Sequence, residues 1–200
     1  MVKRECFYLI HLFPLTLHPN DTMITNLKKT LLLTMMLISI FICQLVYGQT
    51  INNVDLNFKS LSGETLNLNQ FRGQVLVISF SAKGIPLAQT ELPQLERLAT
   101  KFANQEVKVI WISTNSLKPK ANNFASTAEL QSIANQYSHL TILRDLEGTV
   151  FQQTGSDTLP TIFILDKSGR SVGRARVGID PQANLANDLS PIITQTLSRN

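Results

Sequence analysis

The chain has 200 residues, 44% of them hydrophobic and 16% charged, which suits one ordinary globular domain with a sizeable core and is too short for two large ones. Two cysteines, Cys6 and Cys43, exclude a disulfide-rich scaffold and a multi-cysteine metal site. The formal charge is +4, but from Gln49 onward 14 Lys and Arg stand against 12 Asp and Glu, a balance of +2 with no basic run, so no nucleic-acid partner is expected.

The first element is a leader. Thr30 to Tyr47 is an 18-residue stretch without a charge, preceded by Lys28-Lys29 and followed by Gly48. A basic segment, an apolar segment and small residues at the end make the layout of a secretory signal. Val46 and Gly48 take the positions three and one before a cut at Gln49. Met23 opens a compact basic segment and makes a more natural start than Met1. Residues 1–48 are thus read as a signal peptide, with an uncleaved membrane anchor through residues 30–47 as the alternative, since 18 apolar residues reach the lower edge of a span. Cys43 follows the bulky Ile42, where a lipid-modified cysteine follows a small residue. Cleavage leaves a domain of residues 49–200, about 152 residues, with no cysteine. The protein is then exported, to the periplasm or the cell exterior, or is held in the inner membrane by its N-terminus.

Within that domain Val75 to Phe80 and Val107 to Thr114 are continuous apolar, β-branched runs, which predict strands buried on both faces. Between them Ala88, Leu92, Leu95, Ala99 and Phe102 recur at helical steps, so the unit reads as strand, helix, strand with a parallel crossover. Pro93 lies inside that helix and predicts a kink. A second helix is expected over roughly 121–136 and a short strand at Leu140 to Leu143. Thr161 to Leu165 and Ser171 to Val177 flank Asp166-Lys167-Ser168-Gly169, which predicts an antiparallel hairpin. Asp180-Pro181 predicts the cap and first turn of a last helix that ends near Ser198.

The element order and several strings resemble the thioredoxin-like superfamily, in particular the exported TlpA-type (redoxin) thiol-disulfide oxidoreductases and, more distantly, the peroxiredoxins. Phe71-Arg72-Gly73-Gln74-Val75-Leu76-Val77 is similar to the segment entering that family's first core strand. Leu159-Pro160-Thr161-Ile162-Phe163-Ile164-Leu165-Asp166 is similar to its cis-proline loop and hairpin. The resemblance implies an α/β thioredoxin-like fold, a central mixed sheet with helices on both faces. It also implies an active site at the start of the first helix, where TlpA-type proteins carry Cys-Pro-x-Cys. Here the line reads Phe80-Ser81-Ala82-Lys83-Gly84-Ile85-Pro86-Leu87-Ala88, followed by Glu91 and Pro93. Phe80, Ala82, Pro86, Glu91 and Pro93 match, while Ile85 and Ala88 stand where the two cysteines belong. The peroxiredoxin pattern gives the same register.

That chemistry needs a thiolate activated by a helix N-terminus and a second thiol to resolve the mixed disulfide. Isoleucine and alanine supply neither, so no catalytic residue is assigned. The expected function is a non-catalytic module in which Lys83, Gly84, Ile85, Pro86, Leu87, Ala88, Glu91, Leu159 and Pro160 line a groove for an extended segment of a protein partner. The alternative is a thiol-disulfide oxidoreductase or peroxidase, as the resemblance would name it. No cofactor and no metal are expected: His139, the lone histidine after Gln49, has no Asp, Glu or Cys at ligand spacing. Glu91 is implied by the resemblance to handle protons near thiols, but without them reads as an ordinary first-turn carboxylate. Lys83 reads as a solvated loop lysine, Trp111 as core, and Arg174 and Arg176 as water-facing.

Overall fold

The computed structural model describes residues 31–35 and 56–199. The chain divides into two units, residues 1–47 and 48–200. Of the first, residues 31–35 form a helical turn with Leu31, Leu32, Leu33 and Met35 exposed. The rest of the leader, with the expected cleavage site, lies outside the described residues. No helix among them is long and apolar enough to cross a membrane.

The second unit is built on a seven-stranded sheet in the order β2-β1-β5-β4-β3-β6-β7. Its strands are β1 (Asn57–Ser60), β2 (Thr65–Asn67), β3 (Val75–Ser81), β4 (Val107–Ser113), β5 (Thr141–Arg144), β6 (Thr161–Leu165) and β7 (Arg176–Val177). Four helices accompany them: α1 (Pro86–Lys101), α2 (Thr127–Gln136), α3 (Thr149–Gln153) and α4 (Leu185–Leu197). β3, β4 and β5 run parallel, and β6 pairs antiparallel with β3. All seven residues of β3 are buried, as a continuous apolar run in a covered central strand requires.

Alternation along the strands separates two cores. Val75, Val77, Val109, Trp111, Ile142, Ile162 and Ile164 face one way and pack with Leu92, Leu95 and Leu98 of α1, Leu130 of α2 and Leu189 and Ile193 of α4. Leu76, Ile78, Phe80, Ile110, Ile112, Leu143, Phe163 and Leu165 face the other way and meet Phe58, Leu68 and Phe151, with Phe80 and Phe163 edge to face at 6.0 Å between ring centres. Large buried side chains on both faces supply the main stabilising burial, about 25 cal/mol per Å² of apolar surface. Trp111 is fully buried, as expected.

Several boundaries differ from the sequence reading. α2 begins at Thr127, because Ser126 and Glu129 form a capping box, each side chain bonded to the other's backbone N–H. β5 is shifted by one residue, to Thr141–Arg144. The strand expected over Ser171 to Val177 is interrupted: Ser171 bridges Leu165, and regular pairing resumes only at Arg176–Val177. Asp180 and Pro181 do not open the last helix. Asp180 Oδ1 accepts from Gln182 N–H at 2.9 Å in a local turn, and Asn184 caps α4 through Asn187 N–H. The β1-β2 hairpin and α3 were not anticipated.

Candidate functional site

The site stands where β3 ends and α1 begins. Phe80 lies opposite Thr161, which sets the loop before β6 beside the chain leaving β3. Ser81 is the last strand residue, and Ala82 to Gly84 turn the chain, Gly84 with φ +100°, a conformation that suits glycine. Ile85 is the N-cap of α1 and provides no side-chain cap; Pro86 takes the first helical position, where its missing N–H costs nothing. Lys83, Gly84 and Pro86 are exposed, Ile85 and Leu87 half-buried, and Ala88 buried. Ile85 and Leu87 belong to neither core, so their apolar surface lies at the helix start and not in the interior.

The Leu159-Pro160 bond is cis, and Pro160 is buried. Its carbonyl accepts from Gly178 N–H at 2.8 Å. Leu159 is half-buried and packs on the second core, and among the described residues no hydrogen bond engages its backbone N–H or C=O.

Asn115, which the sequence reading missed, holds the loop. Its Oδ1 accepts from Lys83 N–H at 2.7 Å, and its Nδ2 donates to the carbonyls of Lys83 (3.1 Å) and Asn123 (2.7 Å). Ser113 Oγ donates to the same Oδ1 at 2.8 Å. The only sequence signal was its place, a polar amide just past the end of the buried run Val107 to Thr114. Lys83 is not a free cation: its Nζ pairs with Glu129 Oε1. With that partner and Ser126, the Glu129 carboxyl is pulled down to about 2.

Glu91 departs most from expectation. It is fully buried, not an exposed first-turn carboxylate. Ser79 Oγ donates to its Oε1, and Trp111 Nε1 donates to its Oε2 at 3.3 Å. Ser81 Oγ faces the same carboxyl without a hydrogen bond of ordinary geometry. Burial pushes the Glu91 carboxyl above its usual range, and the Ser79 and Trp111 bonds only partly offset that. The signal was legible in the spacing: 91 is three residues after Ala88 and four before Leu95, inside the buried stripe.

His139 lies apart from this site, half-exposed at the end of α1, with Nδ1 2.7 Å from Glu96 Oε1. Among the described residues no group of three or more His, Cys, Asp or Glu is placed to hold a metal ion.

A parallel β3-β4-β5 core, an antiparallel β6 entered through a cis-proline, and a long helix opening at Ile85-Pro86 define a thioredoxin-like protein. The chain belongs to the AhpC/TSA family, which matches residues 48–171. Among characterised relatives it is 22% identical over 112 residues to thiol-disulfide oxidoreductase ResA of Bacillus thuringiensis subsp. konkukian, covering 56% of this chain and 60% of that one. It is 27% identical over 117 residues to the thioredoxin-like protein YneN of Bacillus subtilis, covering 58% and 64%. The chain thus spans less than two thirds of the length of these relatives. Among solved structures, the pneumococcal exposed lipoprotein thioredoxin Etrx1 of Streptococcus pneumoniae matches with TM-score 0.54 and 21% identity over 69% of this chain and 99% of that one. A thiol:disulfide interchange protein DsbE of Chlorobium tepidum matches with TM-score 0.57 and 18% identity, over 70% and 92%. The relatives are of the thiol-disulfide oxidoreductase type; this chain carries Ile85 and Ala88 at the site.

Proposed function

We propose that this is an extracytoplasmic redoxin that binds an extended segment of a protein partner and performs no thiol chemistry. The observation that carries the reading is the peptide group of Leu159, without a hydrogen bond among the described residues and two residues before the Thr161 that pairs with Phe80, in a chain whose helix start bears no thiol. A backbone N–H and C=O left open at the edge of a buried loop suit β-type pairing with an extended chain. Ile85 and Leu87 then offer apolar contact at the helix start, where TlpA-type proteins have a reactive pair at the positions of Ile85 and Ala88. Ala88 can neither ionise nor form a sulfur adduct, so a bound segment is held by contact alone. Export is supported by the basic and apolar layout of residues 28–48, and by the likeness to Etrx1, an exposed lipoprotein.

The test uses the full chain with reduced, carboxymethylated α-lactalbumin as an extended, thiol-blocked probe. Wild type is expected to bind it and Leu87→Asp to lose that binding. With Cys6 and Cys43 replaced by serine, the full chain is expected to show no dithiol-dependent insulin reduction and no thiol-dependent peroxide consumption. Turnover by clean protein, or equal binding by Leu87→Asp, overturns the reading.

A further inference from the structure

β6 and the arm that returns beside it are out of step. Near the turn, Leu165 bridges Ser171 and Val172 N–H donates to Ile164 O at 2.8 Å; farther along, Ile162 lies opposite Arg176. Phe163 therefore faces three residues, 173–175, where a regular ladder would present one. Gly173, with φ +72°, turns the chain into this bulge. Bulges at sheet edges re-aim the strand that carries them.

Between the displaced arm and α4 lies a groove of about 500 Å³, within the size range of small-molecule sites. Its floor is the buried Ile162 and Ile164 of β6 and Leu189 of α4, and its open sides are aliphatic, Val172 and Ala175 from the arm and Ile192 from α4. Ile192 is 37% exposed, an apolar side chain left open to water at the groove. Among the described residues the lining includes no aromatic ring, and Gln195 is its one uncharged polar side chain. Such walls neither stack a planar ring nor read a hydrogen-bond pattern; they accept an alkyl chain. The rim carries Arg174 and Arg176, two residues apart on the arm. Asp188 accepts from Arg176 Nη1 at 3.0 Å and engages only that nitrogen of a five-donor group.

We propose that this groove binds a single-chain fatty carboxylate, its alkyl chain between the arm and α4 and its head on the guanidinium of Arg176. Guanidinium and carboxylate match in geometry as well as charge. The groove begins at Ile162, and its lining shares no residue with the helix start at 83–91 or with Leu159-Pro160, so this proposal stands whether or not the partner-binding reading does.

The probe is dodecanoate below its micellar concentration, titrated into the full chain with isoleucine methyl groups observed by NMR. Dodecanoate is expected to shift the methyl signals of Ile162, Ile164 and Ile192, and dodecanol to bind roughly tenfold more weakly for lack of the charge-assisted bond. Arg176→Ala should weaken dodecanoate by a similar factor, and Ile192→Asp should abolish its binding. Ile192 is partly exposed, so that variant is expected to melt as wild type does; should it unfold, the methyl shifts and Arg176→Ala decide. Equal binding of the alcohol, undiminished binding by Arg176→Ala, absence of shifts at these isoleucines, or retention on phosphatidylglycerol vesicles without binding of free dodecanoate overturns the proposal.

Discussion

Asn115 holds Lys83 by both ends of its peptide plane, accepting from its N–H at 2.7 Å and donating to its carbonyl at 3.1 Å. Two loops that leave adjacent parallel strands are thereby fastened through one buried side chain. Asn115→Ala should cost about 2 to 4 kcal/mol, since it also leaves the Asn123 carbonyl and Ser113 hydroxyl without their partner. Urea denaturation gives the loss, and amide hydrogen exchange at Lys83 should quicken in the variant. An unchanged Lys83 exchange rate would mean the loop is held by something else.

Glu91 sets a pH dependence. Its folded-state value is raised above the ordinary 4.5, so below that value both folded and unfolded chains carry the proton and no penalty exists. As pH rises past 4.5 the unfolded chain releases its proton first, and stability falls by about 1.4 kcal/mol per pH unit until the folded-state value is passed. Glu91→Gln removes this slope. At pH 4 the variant should be less stable by about 1 kcal/mol, because an amide cannot accept from both Ser79 and Trp111; by pH 8 the difference should shrink or reverse. Denaturation at the two pH values checks the sign.

Glu129 behaves in the opposite sense. Its carboxyl, at about 2, is lowered first by Lys83 and then by the Ser126 bonds, so what it contributes is present above the ordinary carboxylate range and lost as pH falls from about 4.5 toward 2. Carboxyl NMR should show it titrating near the lower value, and Lys83→Ala should move it upward. A midpoint unchanged in the variant would remove Lys83 as the cause.

Arg144 is 3% exposed, and among the described residues its Nε and Nη1 have no hydrogen-bond partner, while Nη2 donates to Ala125 O at 2.6 Å. A buried guanidinium with a single neutral acceptor is a poor arrangement, because burial disfavours its charge. Arg144→Met, which keeps the length and removes the charge, should leave thermal stability within about 1 kcal/mol of wild type or raise it. A loss of several kcal/mol would show that the cation has a role these contacts do not display.

At the helix start, Ile85→Cys with Ala88→Cys tests the register of the site. These residues are the N-cap and third residue of α1, one turn apart. With Cys6 and Cys43 replaced by serine, the double variant should form an intramolecular disulfide that dithiothreitol reduces, measured by thiol titration; a folded variant with two free thiols after oxidation would place the site elsewhere.

The buried centre was legible because burial on both faces makes β3, β4 and β6 largely apolar, and the stripe from Ala88 to Phe102 announces α1. The cis-proline loop was legible through resemblance to known proteins. β1 and β2 were not: Asn57–Ser60 and Thr65–Asn67 are short, polar and largely uncovered, with little periodicity to read. The start of α4 was misplaced because Asp180-Pro181 and Asn184 both carry cap chemistry, and only packing of Leu185 against the core chooses between them. Asn115 escaped because its role depends on a partner 32 residues away. Glu91 escaped for another reason: a carboxylate inside an apolar stripe was taken at the value of its residue type.

The methyl group of Ala88, 3% exposed under the first turn of α1, also fixes how a complex at this site would end. A partner captured through a mixed disulfide waits for a second thiol before it can leave, and the redox poise of the compartment governs its release. Over Ala88 there is no such bond to break. Occupancy of the proposed complex would follow concentration, and its lifetime would be a dissociation rate set by contacts at Ile85, Leu87 and Leu159, alike in oxidising and reducing surroundings.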